Sequence, residues 1–153
     1  MRRMSQPDPF VLPEDDNAAE AIAAIADDFS VLDDWEERFR HIIDLGRKLP
    51  PYPDEWADDA HRVPGCQSKV WMRPTLRDGR LYFAGASDAA IVAGLVALLL
   101  RVYSGRAPSE IAATDPGFLK DLGLIEALST NRGNGIAAMA RKIREAAAQA
   151  AAG

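Results

Sequence analysis

"QSKVWMRPTLRDGRLYFAGASDAAIVAGLVALLL", residues 67–100, changes its hydrophobic period midway, and that change decides the fold. The first part alternates. Val70 and Met72 face one way, while Lys69, Trp71 and Arg73 face the other, as in a half-buried strand. Asp78-Gly79 interrupts the run with the residue pair that suits a two-residue hairpin turn, and "RLYFAGA" returns as the second strand. Pro74 lacks the N–H that a sheet ladder needs, so the first strand is not central there. "AAIVAGLVALLL", from 89 to 100, is apolar nearly all round and predicts a helix through the middle of the fold. Its 12 residues are too few to span a bilayer. Ser87 reads as the helix cap, with Asp88 in a first turn where negative charge suits the dipole.

Outward from this unit the chain reads as helical. Asn17 is placed to cap a helix ending near Phe29, with Glu20 as capping-box partner and Ile22, Ile25 and Phe29 on one face. Asp33 or Asp34 caps a second, in which Trp35, Phe39, Ile42, Ile43 and Leu49 recur at helical spacing until Pro50-Pro51. "PPYPDEWADDAHR", 50–62, is an irregular acidic connection with room for one helical turn. Downstream, Pro108 opens a short helix and Asp115-Pro116 another, ending near Gly123. "STNRGNG" is expected as a loop, and a last helix runs from about Gly135 toward Ala152. Residues 1–16, with Pro7, Pro9 and Pro13 and no periodicity, are expected as a mobile arm ahead of one domain, 17–153.

The totals narrow the function. A chain of 153 residues suits one domain with a real core. A net charge of −5 argues against nucleic acid, whose binding requires a basic patch. One cysteine forms no intrachain disulfide, and one Cys with two His cannot complete a four-ligand zinc site. The basic start lacks the apolar run of a signal peptide, and the expected location is cytoplasmic, with no membrane association.

That leaves Cys66, in "RVPGCQSKVW", 62–71. Free cysteine is among the most buried residue types, so inert packing would explain it. Its setting points toward chemistry. Pro64-Gly65 makes a turn, and His61, Arg62 and Lys69 can favour the nucleophilic thiolate. Val63, Val70 and Trp71 can shelter the sulfur. His61 is placeable as a general base, although a lone loop histidine is more often a surface hydrogen-bonding residue. Arg132, just before the last helix, is either solvated or aimed at an anion or thiolate. "GNGIAA" matches a dinucleotide fingerprint but follows no buried strand and is explained by a loop entering a helix. The Asp pairs read as caps and solvated faces, not a metal site.

"LGRKLPPYP", "VPGCQSKVWM", "SDAAIVAGLVALLL" and "NRGNGIAAMARKIR" occur in the order and spacing of the SufE family, the sulfur-acceptor proteins of iron–sulfur cluster assembly, which include the CsdE-like proteins. The resemblance covers about 30–145. It implies an α+β fold like that of IscU-type scaffolds: a small antiparallel sheet of about three strands, the third near 61–64, packed by several helices. It implies that Cys66 accepts persulfide sulfur from a SufS-type cysteine desulfurase, stimulates that enzyme and passes sulfur toward an iron–sulfur scaffold. The chain is then a carrier and activator rather than an enzyme. It has no cofactor of its own, since pyridoxal phosphate belongs to the desulfurase. Arg132 matches an arginine near the acceptor loop. Asp88, Gly65, Gln67 and Ser68 take partner-docking roles, and His61 with Arg132 supports the thiolate. His61 stands where relatives often carry Asn, and Lys69 where they often carry Gln. The alternatives are a Cys–His hydrolase or transferase, and a scaffold protein with a structural cysteine. Homodimerisation stays open.

Overall fold

The computed structural model describes residues 7–66, 68–124 and 130–152, with the side chains of 130–134 outside the description. The hairpin forms as its pattern dictates. β1 (Val70–Arg77) pairs antiparallel with β2 (Arg80–Ser87), in register from Val70 opposite Ser87 to Arg77 opposite Arg80. Asp78 and Gly79 turn the chain with φ of +51° and +79°, the positive values such a tight link requires. Val70, Met72, Leu81 and Phe83 are buried on one face, which α3 (Ala90–Tyr103) covers.

α3 runs through the centre of the core, buried from Leu95 to Tyr103 except at Ala97 and Arg101. Three helices pack on it. α1 (Ala18–Ser30) starts where Asn17 Oδ1 accepts from the Glu20 amide at 2.8 Å, and it buries Ala18, Ala21, Ile25 and Phe29 at helical spacing. α2 (Trp35–Arg47) starts where Asp34 Oδ1 accepts from the Glu37 amide at 2.8 Å. The acidic connection holds two 3₁₀ turns, Asp54–Trp56 and Asp59–His61. After α3 come α4 (Pro108–Ala113), α5 (Phe118–Asp121) and α6 (Thr130–Ala152), and α6 packs against α4 and α3.

The structure departs from expectation in four places. The third strand near 61–64 is reduced to a single bridge, Arg62 with Trp71, beside the Val63 amide donating to Val70 O at 2.8 Å. A 3₁₀ turn ends at His61 and the Pro64-Gly65 turn follows, which leaves too little extended chain for a strand. The sheet among the described residues therefore has two strands. Ser87 does not cap α3. Ala89 holds that position without a side-chain bond, and Ser87 Oγ accepts from the Ala89 amide while donating to Lys69 O at 2.8 Å. The loop expected over 129–135 is helical from Thr130, so Arg132 lies inside the first turn of α6.

The fourth departure is the N-terminal segment, which over 7–16 is tied to the domain. The Val11 amide donates to Phe83 O at 2.9 Å, and Ser104 Oγ donates to Val11 O at 2.6 Å while accepting from the Phe83 amide. Phe10 is buried, and Arg77 grips Asp8 through two bonds of 2.9 and 3.2 Å. Arg101 bonds Asp15, and the buried Arg106 donates to the main-chain oxygens of Val102, Arg101 and Asp15. A guanidinium at the carbonyl end of α3 complements its dipole and spends its donors on acceptors that burial would otherwise orphan.

Candidate functional site: the Cys66 loop

The cysteine sits on a loop closed at its base and braced on one side. Val63 and Val70 are both buried, and their hydrogen bond closes the excursion from Pro64 to Lys69. Gly65 takes φ of +86°, in the left-handed region that favours glycine, just before the cysteine. The brace comes from the far end of the hairpin. Asp88 Oδ1 accepts from the Lys69 amide at 3.0 Å, the Asp88 amide donates to Lys69 O at 3.2 Å, and Ser87 Oγ donates to the same oxygen. Three contacts thus hold the residue three places after the thiol.

The thiol itself faces α6. Cys66 is half-buried, and Sγ donates to the main-chain oxygen of Gly135 at 3.6 Å. A Cβ on residue 135 would stand 3.5 Å from Sγ, and one on Gly65 would stand 3.5 Å from the Ala138 methyl. Both are ordinary contact distances, so the packing of loop on helix leaves space for a methyl at either position, and at Gly65 it is the positive φ that favours glycine. Gly135 is buried against the loop, with room for a methyl. Burial pushes the Cys66 thiol above its ordinary range, and the Arg62 guanidinium pulls it down. The resting form is a sheltered thiol with one cation, among the described residues, acting on it.

Not every residue singled out from sequence meets at this point. His61 is turned elsewhere. Its Nδ1 lies 2.7 Å from Asp58 Oδ1, and its ring lines a small cavity with Lys142, Glu145 and Gln149 of α6. Cys66 meets α6 at Gly135, and Lys142 lies roughly 10 Å farther along at 1.5 Å per residue. The hydrogen bond to His61 also holds the Asp58 carboxyl below its usual range. Ser68 is half-exposed and Gly65 exposed beside the thiol, while Asp88 is exposed at the brace. Gln67 and the Arg132 side chain lie outside the described residues. Two further participants are Arg62, the described charge that acts on the thiol, and Gly135, whose carbonyl receives it. Arg62 was visible among the neighbouring cations. Gly135 left only the signal of a glycine beside a helix start.

Among the described residues no group of His, Cys, Asp and Glu is arranged to hold a metal ion, and no helix is long and apolar enough to cross a membrane. The arrangement suits thiol chemistry at a single sulfur.

The chain is similar to several known proteins. The family model described as "SufE: Fe-S metabolism associated domain" matches residues 23–147. An uncharacterized SufE-like protein of Rhizobium etli is 46% identical over 128 residues, covering 80% of this chain and 86% of that protein. Another, of Rhizobium meliloti, is 43% identical over 128 residues, covering 80% of this chain and 91% of its own length. The solution structure of a hypothetical protein from Thermus thermophilus superimposes with a TM-score of 0.73 over 87% of this chain and 97% of that one. At 21% sequence identity this last likeness speaks to the fold alone.

Proposed function

This chain belongs to the SufE family, associated with iron–sulfur metabolism, and we propose that within it the protein accepts sulfur on Cys66 from a SufS-type cysteine desulfurase. The observation that carries this reading is the placement of the only cysteine. It stands at the tip of a closed and braced loop, half-covered by the Gly135 main chain. A carrier needs a sulfur that is reachable by a partner yet shielded from bulk oxidants and thiols, and half-burial meets both needs.

The transfer is a thiol–persulfide exchange. The Cys66 thiolate attacks the terminal sulfur of the desulfurase persulfide, a new S–S bond forms on Cys66, and the desulfurase cysteine leaves as its thiolate. One S–S bond replaces another, so no external oxidant or reductant is needed. The proton that burial keeps on Cys66 must leave first, and among the described residues Arg62 favours its loss. With no second cysteine in the chain, the persulfide cannot collapse into an internal disulfide and persists until an iron–sulfur scaffold takes the sulfur. Pyridoxal phosphate is the desulfurase's cofactor. Asp88, Gly65 and Ser68 surround the loop on its exposed side, where a docking desulfurase would meet it and be stimulated.

A Cys–His hydrolase is the weaker reading, because His61 is committed to Asp58 and faces a different stretch of α6. The test combines the protein with a desulfurase and L-cysteine and weighs it intact. The expected result is a gain of one sulfur that Cys66→Ser abolishes. An unmodified Cys66 during desulfurase turnover would overturn the proposal.

A further inference from the structure

The hairpin face away from α3 is not bare. It carries a second, aromatic layer with a groove of about 720 Å³ beside it. Arg73 and Arg77 project from this face of β1, and the N-terminal segment and the 51–56 connection lie across them. The Arg73 guanidinium sits 4.1 Å over the Trp56 ring, and Arg77 sits 4.9 Å over Phe10. The rings themselves form a shelf, with Phe10 at 5.6 Å and Tyr52 at 5.9 Å from Trp56. The Tyr52 hydroxyl donates to Trp56 O at 3.1 Å, which fixes the shelf's depth.

Three features of the groove specify an occupant. One wall is rich in proline: Pro53 has φ −59° and ψ 134°, polyproline geometry, and Pro7, Pro9 and Pro51 line the same space. Aromatic shelves beside such walls take extended, proline-containing chains, which lose little entropy on docking. Its charge is acidic. Asp54 and Glu55 stand exposed on the rim and form no ion pair with a described residue. Its rings already accept guanidinium groups from within the chain, which shows the chemistry the surface favours.

We propose that this groove is a docking site for an extended, proline-containing segment of a partner protein carrying Arg or Lys. The partly exposed Tyr52 and Trp56 rings pack the prolines, with Phe10 buried behind Trp56, and Asp54 and Glu55 pair with the cations. The site is separate from the Cys66 loop and does not depend on the sulfur-acceptor reading.

Fluorescence anisotropy of a labelled PPRPPRP peptide titrated with the full chain tests it. The expected result is saturable binding that weakens as salt rises and is absent for PPEPPEP. Asp54→Lys with Glu55→Lys should weaken binding about tenfold or more without lowering Tm, since both side chains are exposed. Trp56→Ala should abolish it. Cys66→Ser should bind like the parent, which separates this outcome from that of the sulfur-transfer assay. No binding at about 1 mM chain, or binding indifferent to the double charge reversal, would overturn the proposal. So would self-association of the chain that the same reversal abolishes, because it would give the groove to a second copy.

Discussion

At the scale of single residues, Cys66 shows how far local sequence reaches. Its turn, its cationic neighbours and its isolation are all readable within ten positions, and they make it the candidate for thiol chemistry. Which cation matters is not readable there. His61 and Arg62 are adjacent in sequence, but a 3₁₀ turn ends at His61, whose ring bonds Asp58, while Arg62 begins the bridge to Trp71 and acts on the thiol. Arg62→Gln should therefore raise the thiol pKa further and slow alkylation by iodoacetamide near neutral pH, whereas His61→Gln should leave the rate close to the parent's. A pH–rate profile of alkylation checks both. Gly135 is the second case. Gly135→Ala places a methyl in ordinary contact with Sγ and removes the entropic cost of glycine in a helix, so it should stabilise the fold by about 0.5–1 kcal/mol. The same methyl should slow alkylation. Thermal melts and the alkylation rate together test that opposition.

Among elements, the start of α3 behaves differently from its local pattern. Ser-Asp before an apolar run reads as a cap, but both side chains turn back to Lys69. The hairpin register brings Ser87 opposite Val70, so residues 69 and 88 meet, and two-point bonding across the hairpin wins over capping the helix. The consequence is a brace on the cysteine loop. Asp88→Ala should cost about 1 kcal/mol and speed hydrogen exchange at the Lys69 amide. Asp88→Asn keeps an acceptor at the same place and should restore protection at that amide. If Asp88 also docks the desulfurase through its charge, Asn should protect the loop yet still weaken stimulation. The crossing of α2 on α3 is set just as tightly, since a Cβ on Gly94 would run into the Ile42 carbonyl oxygen. Gly94→Ala should destabilise by roughly 1–3 kcal/mol in a denaturant titration, the range for overpacking a core.

For the molecule as a whole, the N-terminal segment matters most. It closes the outer edge of β2 through Val11 and roofs the far face of the hairpin through Phe10. Arg77 holds the Asp8 carboxyl below its usual range, chiefly through their hydrogen bonds. A depressed carboxyl contributes stability that is complete above its unfolded pKa and is lost as pH falls through the folded value. The segment should therefore loosen in acid, below the ordinary carboxylate range, and Asp8→Asn should remove that dependence. Trp56 fluorescence followed against pH, with Phe10 packed on its ring, reports the change. The hairpin, the central helix and the caps at Asn17 and Asp34 are properties of the sequence itself, because each arises from a period or a bond spanning a few residues. The length of α6, the loss of the third strand, the docked N-terminal segment and the environment of the thiol belong to the tertiary structure. In each, the deciding contact joins residues far apart in the chain, Gly135 with Cys66 or Val11 with Phe83, and local propensity carries no information about such a partner.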